Sequence, residues 1–141
     1  MIPFTRRELA NAWRVAIAAA EGIRRSNAHR LLLFYAAECG LKAVYLRRVN
    51  KDVLEAQIAE DLKHDVNRML TLVRAGRDLF LPDSYRLAAV RGSDGNSVPR
   101  NFGCSSLNQA WRYGGVLVQP TDSDVESKLQ EINLWIAKEI A

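Results

Sequence analysis

Seven consecutive residues, Leu31-Leu32-Leu33-Phe34-Tyr35-Ala36-Ala37, carry no charge and lie within a proline-free stretch from Ser26 to Arg48. A helix this apolar on every face cannot lie on a surface, so the stretch predicts a central helix enclosed by the rest of the chain. Ser26 or Asn27 can cap its start, because a short polar side chain there satisfies a free backbone donor. Gly40 costs such a helix about 1 kcal/mol relative to alanine, which a close helix crossing or a subunit contact would offset. Glu38 and Lys42, four apart, can pair on its one polar edge.

The flanking sequence supplies elements to surround that spine. Thr5-Arg6-Arg7-Glu8 has the capping-box order, and Leu9, Trp13, Ile17 and Ala20 then form one apolar stripe on a first helix running to about Ile23. Trp13 is expected in the core. Val53, Leu54, Ile58 and Leu62 give a short amphipathic helix or an irregular insert. Asp65 can cap a helix whose inner face is Val66, Met69, Leu70 and Val73, with Gly76 as its stop. Leu81-Pro82-Asp83 breaks the chain before a short helix expected over Ser84–Val90. From Gly92 to Gly103 turn formers dominate and no apolar period survives, which predicts a mobile, glycine-rich loop. Ser105 or Ser106 can start a short helix through Trp111 that ends at Gly114-Gly115, and Val116-Leu117-Val118 is a brief extended run. The last helix has a capping-box pattern in Ser123 and Glu126 and carries Val125, Leu129, Ile132, Ile136 and Ile140 inward. The expected fold is therefore all-α: an antiparallel bundle of four to five helices with an irregular Gly-rich loop, in one domain over residues 1–141.

A chain of 141 residues that is 48% hydrophobic can build one core without disulfides or a structural metal. Cys39 and Cys104 lie far apart with no CxxC, which fits free thiols in a reducing compartment and argues against zinc. No apolar run reaches membrane length and the first residues lack signal-peptide order, so a cytoplasmic location is expected. Net charge is +4, unevenly spread: residues 1–50 hold nine Lys/Arg against three acids, and residues 101–141 hold three against five. Fifteen of the twenty cations are arginine, whose planar fork suits phosphate.

Three segments carry more specific information: Tyr35-Ala36-Ala37-Glu38-Cys39-Gly40-Leu41-Lys42-Ala43, then His64-Asp65 opening a helix, then Ala110-Trp111-Arg112-Tyr113-Gly114. In this order they resemble the HEPN family of small helical, RNA- and nucleotide-associated proteins. The resemblance implies a helical bundle, usually a homodimer, in company with a nucleotidyltransferase or a defence or toxin–antitoxin partner. Active members cleave RNA without metal, using an arginine and a histidine a few positions later on a late helix. Here Arg112-Tyr113 has no histidine downstream, and the chain's only histidines are His29 and His64. Arg24 precedes His29 by five positions, but the pair falls between the first two helices and reads as an exposed loop edge.

The site expected from these residues is a phosphate-binding one. Arg112 and Tyr113 can contact RNA or a nucleotide by charge and stacking, with Arg91 and Arg100 flanking a loop able to close over an anion. Glu38, Lys42 and Asp65 form its structural motif. The alternative function is a metal-independent endoribonuclease in which His64, or else His29, carries the proton and Arg112 stabilises charge on the reacting phosphate. A third alternative is a pure dimerisation module built on the central helix and Gly40. Neither metal nor cofactor is expected: His64-Asp65 lacks a second His and Asp, and no strand-and-glycine order makes a phosphate loop.

Overall fold

The computed structural model describes residues 2–22 and 25–141; Ile23, the expected end of the first helix, and Arg24, of the Arg24–His29 spacing, lie outside the described residues. In chain order the elements are β1 (Phe4–Thr5), α1 (Arg6–Glu21), α2 (Asn27–Arg48), β2 (Val53–Leu54), α3 (Ala56–Leu62), α4 (Val66–Leu72), β3 (Ser84–Arg91), β4 (Ser97–Gly103), α5 (Leu107–Arg112), β5 (Leu117–Gln119) and α6 (Asp122–Ile140). Among the described residues no helix is long and apolar enough to cross a membrane.

α2 is the spine. Leu33, Phe34, Ala36, Ala37, Leu41, Val44 and Leu46 are all buried along it, with α1, α4, α5 and α6 packed around. Ser26 is the residue that caps it, accepting from the His29 backbone at 3.1 Å. Gly40 marks the tightest crossing: a Cβ there would stand 2.7 Å from both Trp13 Cδ1 and Ile136 Cγ2. The missing side chain therefore lets α1 and α6 approach α2 within one chain. Asn133 ties the same three helices, accepting from Trp13 Nε1 at 3.1 Å and donating to the Leu33 and Leu129 carbonyls. At the other termini, Thr5 with Glu8 forms the expected capping box and Asp65 caps α4.

The expectation of an all-α bundle is overturned, because the structure is a mixed α/β fold with two antiparallel sheets. The smaller sheet pairs β1 with β2, Phe4 opposite Leu54. The larger has the order β4-β3-β5 and is built from the segments expected to be a short helix and a mobile loop. Residues 84–91 are helix-compatible locally, but Tyr85 and Leu87 are buried while Arg86 and Ala88 are exposed, the period of a half-buried strand. Their pairing partner lies beyond the turn, and Phe102 stacks on Tyr85 with ring centroids 5.6 Å apart. The residues between the strands close a hairpin instead of a mobile loop: Gly92 N–H donates to the Asn96 carbonyl and Gly95 adopts φ +83°. Leu87 pairs with Arg100 and Val90 with Val98, so two residues of β3 face Pro99 alone. Proline, with no N–H to offer a ladder, is tolerated at such a bulge on an edge strand.

Two smaller expectations also shift. Residues 53–62 split into β2 and α3. The capping box of α6 is Thr121 with Asp124, two positions before the expected Ser123 and Glu126. Glu126 is otherwise engaged, 3.2 Å from Arg30 Nε, and Asp122 accepts from the indole of Trp111 at 2.8 Å, which fixes the helix frame.

Candidate functional site

Tyr35, Glu38 and Lys42 follow one another at spacings of three and four, so they share one edge of α2. Both remaining landmarks come to that edge. His64 stands in the three-residue link between α3 and α4, where Lys63 adopts φ +52° and Asp65 opens the next helix. Its Nδ1 lies 3.2 Å from Glu38 Oε2, and Lys42 Nζ lies 4.0 Å from the same oxygen. Only 8% of Glu38 is exposed, whereas 77% of the His64 side chain is, so the carboxylate is held inside and the ring faces outward. With Nδ1–H given to the carboxylate, Nε2 is left to solvent as an acceptor. Glu38 and Lys42 thus meet the histidine, while the Asp65 side chain beside it caps α4.

One turn earlier on α2, the Tyr35 hydroxyl accepts from Arg112 Nη2 at 2.9 Å. Tyr35, with Tyr113 behind it, holds the guanidinium pKa above its ordinary value. α5 presents Arg112 in its last turn, where a cation complements the helix dipole, and the chain then leaves through Gly114 at φ +79°. A carboxylate partner, Glu38 or Asp65, is not what Arg112 finds. Tyr113 is 79% exposed and its ring is available to a ligand.

Arg91 and Arg100 are placed differently from expectation. Arg91 donates to the Gly95 carbonyl at the hairpin tip, and Arg100 Nε donates to the Ala88 carbonyl at 2.7 Å, covering the bulge. They stabilise the hairpin and do not flank a closing loop. Arg100 nevertheless reaches a groove of about 400 Å³ between the hairpin and α5, where Tyr113, Phe102, Gln109 and Asn101 also lie. The two ends of the expected site therefore meet at Tyr113 and separate at Arg91.

Burial pushes the Cys104 thiol up to about 11; Tyr85 draws it down a little and Asp65, Asp83 and Glu38 raise it further. Burial and the facing thiol raise the Tyr85 phenol as well, and its hydroxyl has no hydrogen bond of ordinary geometry. Cys39, next to Glu38, is raised by burial. Neither thiol has the electropositive, open setting of a nucleophile. Among the described residues no three His, Cys, Asp or Glu side chains gather to hold a metal.

His29 contradicts the exposed-edge expectation. It is 2% exposed, and its Nδ1 lies 2.8 Å from the Ala20 carbonyl, so it joins α1 to α2. Tyr35 was the residue not singled out in advance as part of the site. The signal for it is its spacing from Glu38 and Lys42, three and seven positions before them, which puts it on the same helix edge.

No family model matches the chain, and neither the curated proteins nor the solved structures contain a match to it.

Proposed function

We propose that the α2 edge carrying Arg112, Tyr113, Tyr35 and the His64–Glu38 pair binds the phosphate of RNA or of a nucleotide without cleaving it. The observation that carries the reading is Arg112 itself: an exposed guanidinium, oriented by a neutral phenol and left without a carboxylate partner. A cation so placed keeps donors free for a phosphate, and an adjacent exposed tyrosine offers a face for a base. The convergence of the three HEPN-like segments on one edge of α2 supports a HEPN-like module, and a homodimer in a defence or toxin–antitoxin assembly is what that resemblance implies. The β3–β4 hairpin between the second and third segments is this chain's departure from a purely helical relative. The pure dimerisation alternative loses its argument, since Gly40 serves a crossing inside one chain.

Fluorescence anisotropy with a labelled single-stranded RNA tests the reading. Arg112→Ala should weaken binding about fivefold or more and lower the salt dependence by roughly the share of one phosphate contact. Unchanged affinity in Arg112→Ala would remove the phosphate role.

One observation favours the endoribonuclease as a second reading. His64, oriented by a buried carboxylate with its other nitrogen facing outward, is arranged as a general base is, and Arg112 one turn away could stabilise charge on a reacting phosphate. Cleavage of RNA by the intact chain in a chelator, lost in His64→Ala, would establish it; an absence of cleavage leaves the binding function.

A further inference from the structure

An open groove lies away from this edge. It runs between α1, the C-terminal half of α2 and the end of α6, with a volume of about 560 Å³. Arg6, Arg7, Arg14 and Arg47 line it, over a floor that includes Ala10, Ala43 and Val44. Arg7, Ala10 and Arg14 recur at three and four along α1, on a stripe offset from the Leu9–Trp13 stripe that enters the core. The small residues keep the floor recessed and leave the guanidinium groups on the rim.

The charge balance in this groove is one-sided. Arg6 lies 3.4 Å from Asp52, and Arg47 donates to the Glu139 backbone carbonyl at 2.8 Å, which leaves its positive charge uncompensated. Glu139, an acidic side chain that lines the groove beside Ala141 at the end of the described chain, is already held by Arg48 at 3.0 Å. The side chains of Arg7 and Arg14 are exposed and make no hydrogen bond or ion pair among the described residues. An adjoining depression shares Val44, Arg47 and Glu139 and adds Lys138, while Arg48, which also lines it, is the partner of Glu139.

We infer that this groove is a second anion site and takes the sugar-phosphate backbone of a single-stranded nucleic acid, without reading its sequence. Three features decide the class of ligand. Four arginines from two helices line the groove, with Arg7 and Arg14 two turns apart on α1 and about 10 Å along its axis, so the cations are spread over a length that matches a run of phosphates. No aromatic side chain lines the groove, so no base is stacked and contact is confined to the backbone. The apolar residues are recessed in the floor, whereas a membrane-binding face would project them beyond the cations. A duplex would touch only the rim.

This inference stands independently of the Arg112 edge. Binding of a labelled, mixed-sequence single-stranded RNA to the full chain is measured by anisotropy over a salt series, for the wild type, Arg7→Gln/Arg14→Gln and Arg112→Ala. Both glutamines replace exposed, unpartnered side chains, and circular dichroism checks that the fold is retained. Loss of two contacts should weaken binding at least tenfold and reduce the slope of log K against log salt by about 1.4, to a similar extent for RNAs of different sequence. An unchanged affinity and slope in the double glutamine variant would overturn the groove whatever Arg112→Ala does. Loss in Arg112→Ala alone would leave the α2 edge as the one phosphate site. Displacement of the RNA by inorganic pyrophosphate at equal phosphate concentration, or arginine-dependent binding to anionic vesicles with RNA binding unaffected, would overturn the assignment to a nucleic acid strand.

Discussion

Asn133 is the polar group on which the three long helices meet, and its removal gives a sharp test of how the core is held. The indole N–H of Trp13 reaches Asn133 Oδ1 at 3.1 Å, in a site where Trp13 is 9% and Asn133 5% exposed. Asn133→Ala takes away that acceptor and two bonds to the Leu33 and Leu129 carbonyls. Those carbonyls lie inside helices and keep their i+4 partners, but the indole keeps nothing. A buried donor left unsatisfied costs about 1–3 kcal/mol, and the lost amide leaves a small void worth about 1 kcal/mol more. Asn133→Ala should therefore cost about 2–4 kcal/mol, a large share of the roughly 5–15 kcal/mol that holds a domain folded. In a Trp13→Phe background no indole is orphaned, so the same change should cost only about 1–2 kcal/mol. Equilibrium urea unfolding of the four proteins, followed by far-ultraviolet circular dichroism, gives the coupling directly. Equal costs in the two backgrounds, within about 0.5 kcal/mol, would refute the claim that the indole–amide bond links α1 to α6.

Gly40→Ala gains about 1 kcal/mol of helix propensity, but its Cβ would meet Trp13 and Ile136 at 2.7 Å; overpacking of about 1–3 kcal/mol should give a net loss and a lower Tm, and a raised Tm would contradict the crossing. Cys104 should ionise near pH 11, seen as thiolate absorbance, and at mildly alkaline pH should alkylate far more slowly than a free thiol. Because its folded pKa is raised, the stabilisation it contributes is complete below the unfolded value near 9 and is lost as pH rises through about 11; unfolding midpoints in Cys104→Ala should lack that part of the alkaline decline. Gly95→Ala places a side chain at φ +83° and should cost about 1 kcal/mol, read as faster amide exchange in β3 and β4 with α2 unaffected.

The candidate site was legible in its parts and not in its assembly. Glu38, Lys42, His64, Asp65 and Arg112 can be picked from the sequence because each stands at a helix edge, a cap or a helix end. Their partners cannot. Arg112 meets Tyr35 across 77 positions and His64 meets Glu38 across 26, and no local pattern distinguishes those pairings from Arg112 to Glu38 or Asp65. The basic groove was visible only as an excess of arginine in residues 1–50; its concavity comes from alanines whose facing is set by how α1 crosses α2.

Sequence alone determined the elements whose cause is local. The Leu31–Ala37 run had to be enclosed because no face of it is polar, and Thr5 and Asp65 had to cap because their side chains satisfy donors three residues on. Tertiary structure decided the rest. Residues 84–91 could form a helix by themselves, and they become a strand because residues 97–103 pair with them and Phe102 covers Tyr85. Thr121 rather than Ser123 starts α6 because Trp111 and Arg30 hold Asp122 and Glu126. In each case the local sequence is compatible with two conformations, and a contact distant in sequence selects between them.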